Sequence, residues 1–139
     1  MNPVLQGICA ALTSDQILAG LLAVYDGMPA VFLARAPAGA QMPYVALHVD
    51  SAVPEEGHAS ERMLMAIDVY DKAESAAKAL EIAGRIERLV DGWKPGLAGA
   101  TGLAIWRDFK GLVEEDDPSV QHVHLEFIVR YGRNDLFET

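Results

Sequence analysis

A strand that turns directly into an amphipathic helix, from Arg62 to Asp91, constrains this chain more than any other stretch. Met63, Met65, Ile67 and Val69 alternate with Leu64, Ala66, Asp68 and Tyr70. Successive strand side chains point to opposite sides, so this period of two marks a strand over 62–70 with one well-buried face. The period then changes. Ala76, Ala79, Leu80, Ala83, Ile86 and Val90 recur at steps of three and four, which sets them on one helix stripe. A strand and a helix that are each apolar on one side bury those sides against each other. The pair predicts a sheet covered by a helix, and it names no chemistry.

The flanking sequence extends this pattern. Asn2 and Pro3 suit the cap and first turn of a helix whose stripe is Val4, Leu5, Ile8 and Leu12. Ser14 is expected to cap a short second helix carrying Ile17, Leu18, Leu21 and Leu22. Val24-Tyr25-Asp26-Gly27 leads into a turn, Val31 to Leu33 reads as a short strand, and Ala34 to Gln41 reads as a loop. Pro43 opens a strand in which Val45, Leu47 and Val49 alternate with Tyr44, Ala46 and His48. The polar stretch Ser51 to Ser60 reads as a long, mobile connection between two antiparallel strands, one that orders on meeting a partner. Asp71 and Glu74 have the spacing of a capping box, and Gly92 suits a left-handed helix end.

Two further strands close the chain, Leu103 to Val113 with Gly111 marking a bulge, and Val120 to Tyr131. In the second, Val123, Leu125, Phe127, Val129 and Tyr131 face one way, and His122, His124, Glu126 and Arg130 the other. The expected fold class is α+β, a mainly antiparallel sheet of about four strands with one long and one or two short helices packed on one face. The 139 residues are expected to form a single domain, with residues 132–139 as a polar tail. A chain of this length buries roughly two thirds of its unfolded surface, enough for a core without staples.

Charge narrows the partners. The formal net charge is −9, which argues against a protein that grips DNA by neutralising phosphates. An acidic surface suits a basic protein partner, or a wall past which nucleic acid slides without sticking. The single cysteine, Cys9, lies among Ile8, Ala10, Ala11 and Leu12 and reads as a small buried thiol, with no internal disulfide open to it. No basic region followed by a long apolar run opens the chain, so the expectation is no signal peptide, no membrane span and a life in the cytoplasm.

Candidate chemistry is sparse. His122 and His124 project from one strand face, with His48 available from a neighbouring strand and Glu126 next in the row. That geometry suits a metal if further ligands approach, but no spacing matches a known zinc pattern, so no metal is expected. Glu55 and Glu56, and the run Glu114, Glu115, Asp116 and Asp117, fall in turns and read as solvated acids with an electrostatic role. They lack both the alternating ligands of a calcium loop and the sheltered pair of a glycosidase. No phosphate-binding glycine loop and no nucleophile elbow is present. The polar and apolar mixture of His122, His124, Glu126 and Ile128, with Tyr44, Ala46 and His48, suits a sheet face that meets another subunit.

Several stretches in order carry a resemblance. They are the Leu-rich N-terminal helices, Val24-Tyr25-Asp26 before a proline turn, Met42-Pro43-Tyr44-Val45 opening a strand, Ile67-Asp68-Val69-Tyr70 running into the Ala-rich helix to Val90, and the ending Phe127-Ile128-Val129-Arg130-Tyr131. Over residues 4–131 this order and spacing resembles the tail-completion or tail-terminator (head–tail joining) proteins of long-tailed bacteriophages, prophages and gene transfer agents. The resemblance implies a structural protein with no catalytic residues and no cofactor. It implies a homo-oligomeric ring, usually hexameric, that caps the tail tube and meets the head completion or connector protein. DNA passes through such a ring without specific binding, and the particle's head–tail junction is where it ends up. On this reading the loops Ala52–Ser60 and Glu114–Pro118 are the expected contacts to tube, connector or lumen, with Glu55, Glu56, His58, Glu114, Glu115, Asp116, Asp117, His122 and His124 as contact residues. The alternatives are a small ligand-binding or regulatory α+β domain, which needs an apolar pocket, and a metal-dependent enzyme using His122 and His124.

Overall fold

A computed structural model describes residues 3–54, 60–92 and 104–132. Among these residues the chain forms α1 (Pro3–Ser14), α2 (Gln16–Leu21), β1 (Val24–Tyr25), β2 (Met28–Pro29), β3 (Val31–Leu33), β4 (Tyr44–Pro54), β5 (Ser60–Lys72), α3 (Ala77–Val90), β6 (Ala104–Val113) and β7 (Val120–Gly132). Five strands make one sheet in the order β3-β4-β5-β7-β6, and β1 and β2 pair as a separate hairpin. Every pairing in the large sheet is antiparallel except β3 with β4, which is parallel. The sheet thus has one strand more than the pattern predicts. Val31 to Leu33 joins it as a short parallel edge, because the loop after Leu33 carries the chain back before β4 begins.

The helices cover one face. Val4, Leu5, Ile8 and Leu12 of α1, Leu18 of α2 and Ala79, Ile82, Ala83, Ile86 and Val90 of α3 are buried in one cluster with Val45, Leu47, Met65, Ile67, Val69, Val123, Leu125, Phe127 and Val129. These strand residues are the inward set of the alternation in β4, β5 and β7. Leu80, placed on the α3 stripe by its spacing, is 39% exposed, and Ile82 takes its place in the core. The long side chain of Leu80 lies on the stripe's margin, and the sheet meets the helix on its other side.

Several local expectations shift for physical reasons. Asp15, not Ser14, caps α2, its carboxylate accepting from the Leu18 N–H at 3.0 Å. Ser14 ends α1, and its hydroxyl donates back to the Ala10 carbonyl at 2.8 Å. Asp71 is no helix cap, since β5 continues to Lys72 and α3 starts at Ala77 without a side-chain cap bond. Ser51 to Pro54 are strand rather than loop, paired with β5. Asn2, Glu55, Glu56, His58 and the polar tail beyond Gly132 lie outside the described residues.

The bulges fall where pairing, not composition, puts them. In β6 the register shifts between Arg107 and Phe109, leaving Asp108 extra, three residues before the expected Gly111. In β4 it shifts between Val49 and Ser51, leaving Asp50 extra. An extra residue reverses which face the following side chains take. Other expectations hold in place: Asp26 and Gly27 turn the small hairpin with φ of 52° and 80°, and Gly92 follows α3 with φ of 76°.

Candidate functional site

The helices leave the second face of the sheet open. Cross-strand partners share a face, so the register lays out its side chains. Ala46 opposes Asp68, Asp68 opposes His124, and His124 opposes Gly111. Tyr44 opposes Tyr70, and Tyr70 opposes His122. The rings form a row across the strands. Phe32 lies 5.9 Å from Tyr44, Tyr44 5.2 Å from Tyr70, and Tyr70 stacks on His122 at 4.2 Å. At the far side the Phe109 ring lies 6.0 Å from His124. Phe109 reaches this position over Gly111, where an added Cβ would sit 2.7 Å from the Phe109 ring tip.

Within this row sits a compact polar cluster. Asp68 Oδ1 accepts at 2.6 Å from both His122 Nε2 and His124 Nδ1. The other nitrogen of each ring also faces a carboxylate. His124 Nε2 is 3.0 Å from Glu126 Oε1, and His122 Nδ1 is 3.0 Å from Glu115 Oε1. The second approach has ion-pair distance but not hydrogen-bond alignment, which leaves His122 Nδ1 among the buried atoms without a hydrogen-bond partner. His48 adds a third imidazole, with Nε2 2.7 Å from Asp50 Oδ1 and Nδ1 3.9 Å from Asp68 Oδ2.

The charges shift one another. Burial at 7% exposure pushes the Asp68 carboxyl up, but the His122 and His124 hydrogen bonds outweigh it and hold the group below its usual range. Burial pulls the His124 imidazole down, yet its bonds to Asp68 and Glu126 leave it raised, so it favours the charged form that serves both carboxylates. Burial, with the Asp68 and Glu115 charges behind it, pushes the Tyr70 phenol up to about 12 and keeps it protonated.

Of the expected contact residues, the fold brings together Glu115, His122 and His124. Glu114, Asp116 and Asp117 stay in the β6–β7 turn, away from the cluster. Asp117 accepts from the Ser119 N–H at 2.9 Å and its hydroxyl at 2.7 Å, bonds that lower the carboxyl and tie the turn locally. The residue missed as a site member is Asp68. Its signal was present: a carboxylate among Leu64, Ala66 and Tyr70 on an otherwise apolar strand, alternating with buried Ile67 and Val69. Two shallow concavities open on this face. One, of about 240 Å³, is lined by Arg35, Tyr44, His48, Asp68 and Tyr70 among others. The second, of about 310 Å³, includes Ser51, Arg62, Leu64 and Ile128. Neither is the deep apolar pocket that a small-ligand domain needs.

Among the described residues no helix is long and apolar enough to cross a membrane. None of the curated proteins compared with this chain matches it. A solved chain in the virion of a native gene transfer agent particle shares the fold, with a TM-score of 0.72 at 22% identity, over 91% of this chain and 92% of that one. The family model described as tail completion protein gp17 matches residues 6–132, and the chain belongs to that family.

Proposed function

We propose that this protein is a tail terminator, a non-catalytic particle component whose copies close into a ring on the end of the tail tube and present a surface to the head connector. Family membership over residues 6–132 supplies the tail-completion context. The solved chain of similar fold comes from a gene transfer agent virion, which agrees with a place in a phage-like particle.

The observation that carries the ring is a pair of apolar edges. Strand β6 is an edge of the sheet, and Trp106, Phe109, Leu112 and Val113 are exposed on it, Leu112 at 61%. The opposite edge is β3, and beside it the β1–β2 hairpin exposes Val24, Tyr25 and Met28. Exposed apolar edge strands associate unless something blunts them. Two different patches at opposite ends of one sheet favour head-to-tail contact, which gives a ring when the rotation closes. The chain's −9 charge suits a lumen that lets DNA pass without holding it. The acids Glu114, Asp116 and Asp117, exposed beyond the end of β6, are the lumen or partner contacts in this reading.

Native mass spectrometry of the untagged protein over a concentration series, with negative-stain images of the same samples, tests the reading. Closed rings of a single size, hexameric by the resemblance, are expected. A strict monomer or a two-fold dimer at every concentration, with no ring on added tail tubes, refutes it.

A further inference from the structure

We propose that Asp68, His122 and His124 form a binding site for a divalent transition-metal ion, zinc in first place, on the open face of the sheet. One ligating atom from each of the three lies within 4.8 Å of the others. They come from two adjacent strands, β5 and β7, whose ladder is unbroken between Lys72 and Ser60. The backbone beneath the cluster is therefore fixed, as a preorganised site requires.

The outer groups carry the argument. A histidine ligand usually turns its second nitrogen to a carboxylate, which fixes the ring and raises its basicity. His124 has that partner in Glu126, 3.0 Å from its Nε2; His122 Nδ1 has the Glu115 carboxylate 3.0 Å away at ion-pair distance, without hydrogen-bond alignment. The inner nitrogens, His124 Nδ1 and His122 Nε2, then converge on Asp68 Oδ1 at 2.6 Å each. Tetrahedral zinc with bonds near 2.0–2.1 Å spaces its ligand atoms by about 3.3 Å. To admit an ion in place of the two protons, the Asp68 carboxylate withdraws by less than about 1 Å and the two imidazole nitrogens, within 4.8 Å of each other, settle at the same tetrahedral spacing. Two imidazoles and one carboxylate leave a fourth position. Water would fill it; His48, with Nδ1 3.9 Å from Asp68 Oδ2 and Nε2 2.7 Å from Asp50, stands beside the three-ligand group and not within it. The concavity lined by Tyr44, His48, Asp68 and Tyr70 leads from solvent to the same carboxylate and supplies the entry path.

Donor chemistry selects the ion. Imidazole nitrogens suit zinc, cobalt, nickel and copper, whereas magnesium and calcium require oxygen ligands throughout. The ion would tie β5 to β7. Nothing in this role depends on ring formation, so the two proposals stand or fall separately.

The test uses the untagged, chelator-stripped protein titrated with zinc chloride alone, followed by calorimetry and thermal unfolding. The expected result is one zinc per chain and a melting temperature raised by roughly 8–12 °C, about what ligand a hundredfold above Kd produces. Proton release should accompany binding. Cobalt should give the absorption of a four-coordinate nitrogen and oxygen site. Asp68→Asn and His124→Gln should each weaken zinc binding at least tenfold, and Glu126→Gln, outside the ligand set, about 10–100-fold. Absence of saturable zinc binding to the wild-type protein overturns the proposal. So does zinc affinity unchanged in folded Asp68→Asn and His124→Gln proteins. Should those variants not fold, an unchanged affinity in Glu126→Gln, or a cobalt spectrum of six-coordinate oxygen ligation, overturns it equally.

Discussion

Asp15 shows how much one side chain joins. Its carboxylate caps α2 at Leu18 and receives Arg85 of α3 through Nη2 at 2.7 Å and Nε at 3.0 Å. The Arg85 hydrogen bonds hold the Asp15 carboxyl below its ordinary value of 3.8 against the pull of burial, with the Leu18 N–H helping. A carboxyl lowered on folding adds stability that is fully present above the unfolded value and lost as pH falls through the folded one. Thermal unfolding followed from about pH 5 to pH 2 should show this loss on the acid side. Asp15→Asn keeps an acceptor for the cap but removes the charge, so its melting temperature should fall less than the wild type's over that range, with Asp68 and Asp117 supplying the remaining loss. Asp15→Ala removes both and should cost about 1 kcal/mol or somewhat more, a drop of roughly 3–5 °C at neutral pH. The sequence placed a cap at this junction but assigned it to Ser14. Both residues are competent caps, and only the end of α1 decides between them. The Ser14 hydroxyl is already occupied by the Ala10 carbonyl, and Asp15 is left in extended conformation with φ of −78° and ψ of 120°.

At the scale of elements, α3 separates period from packing. Its repeat correctly puts Ala79, Ala83, Ile86 and Val90 in the core, because those positions lie along one stripe whatever the helix meets. The stripe's margin is decided by where the sheet lies. Ile82 is fully buried and Leu80 is not. Ile82→Ala should therefore cost about 2–5 kcal/mol, whereas Leu80→Ala should change stability by no more than about 0.5 kcal/mol, as urea denaturation would measure. Equal losses would mean that α3 sits rotated on the sheet. The polar side of α3 is tied to β6 by Glu87, which meets Lys110 at 2.6 Å and Arg107 at 3.3 Å. Those two cations point to the helix side because the Asp108 bulge shifts the alternation. No residue type announces that bulge. A glycine three positions later drew the expectation, yet Gly111 is needed for another reason, the Phe109 ring that lies over it.

For the whole molecule, strand order matters most. β7 inserts between β5 and β6, although β5 and β6 are separated in sequence by the long helix. This insertion brings Asp68 beside His122 and His124, residues more than fifty positions apart. It also leaves β6 at one edge and the β3 side, with the small hairpin, at the other. If those edges meet head to tail, a charge on either one should block ring closure without unfolding the subunit. Leu112→Asp disables one edge and Met28→Asp the other, and both side chains are exposed, so each variant should keep its wild-type melting temperature within about 2 °C. Each alone should be monomeric in native mass spectrometry. Mixed, they should form a one-to-one dimer through the remaining good edges and no ring. Rings from either variant would place the contact elsewhere.

Local periodicity was enough to determine the strands, the long helix, their buried sides and the class of fold. A period of two or of three to four is a property of neighbouring residues, and it survives whatever the partner element is. Tertiary structure alone decided the rest: the parallel pairing of Val31–Leu33 at the sheet edge, the two bulges, the cap at Asp15, and the meeting of Asp68, His122 and His124. Each of those depends on which strand lies beside which, and in what register. Register is a relation between distant segments, set by the fit of their packed faces, and no single segment carries it.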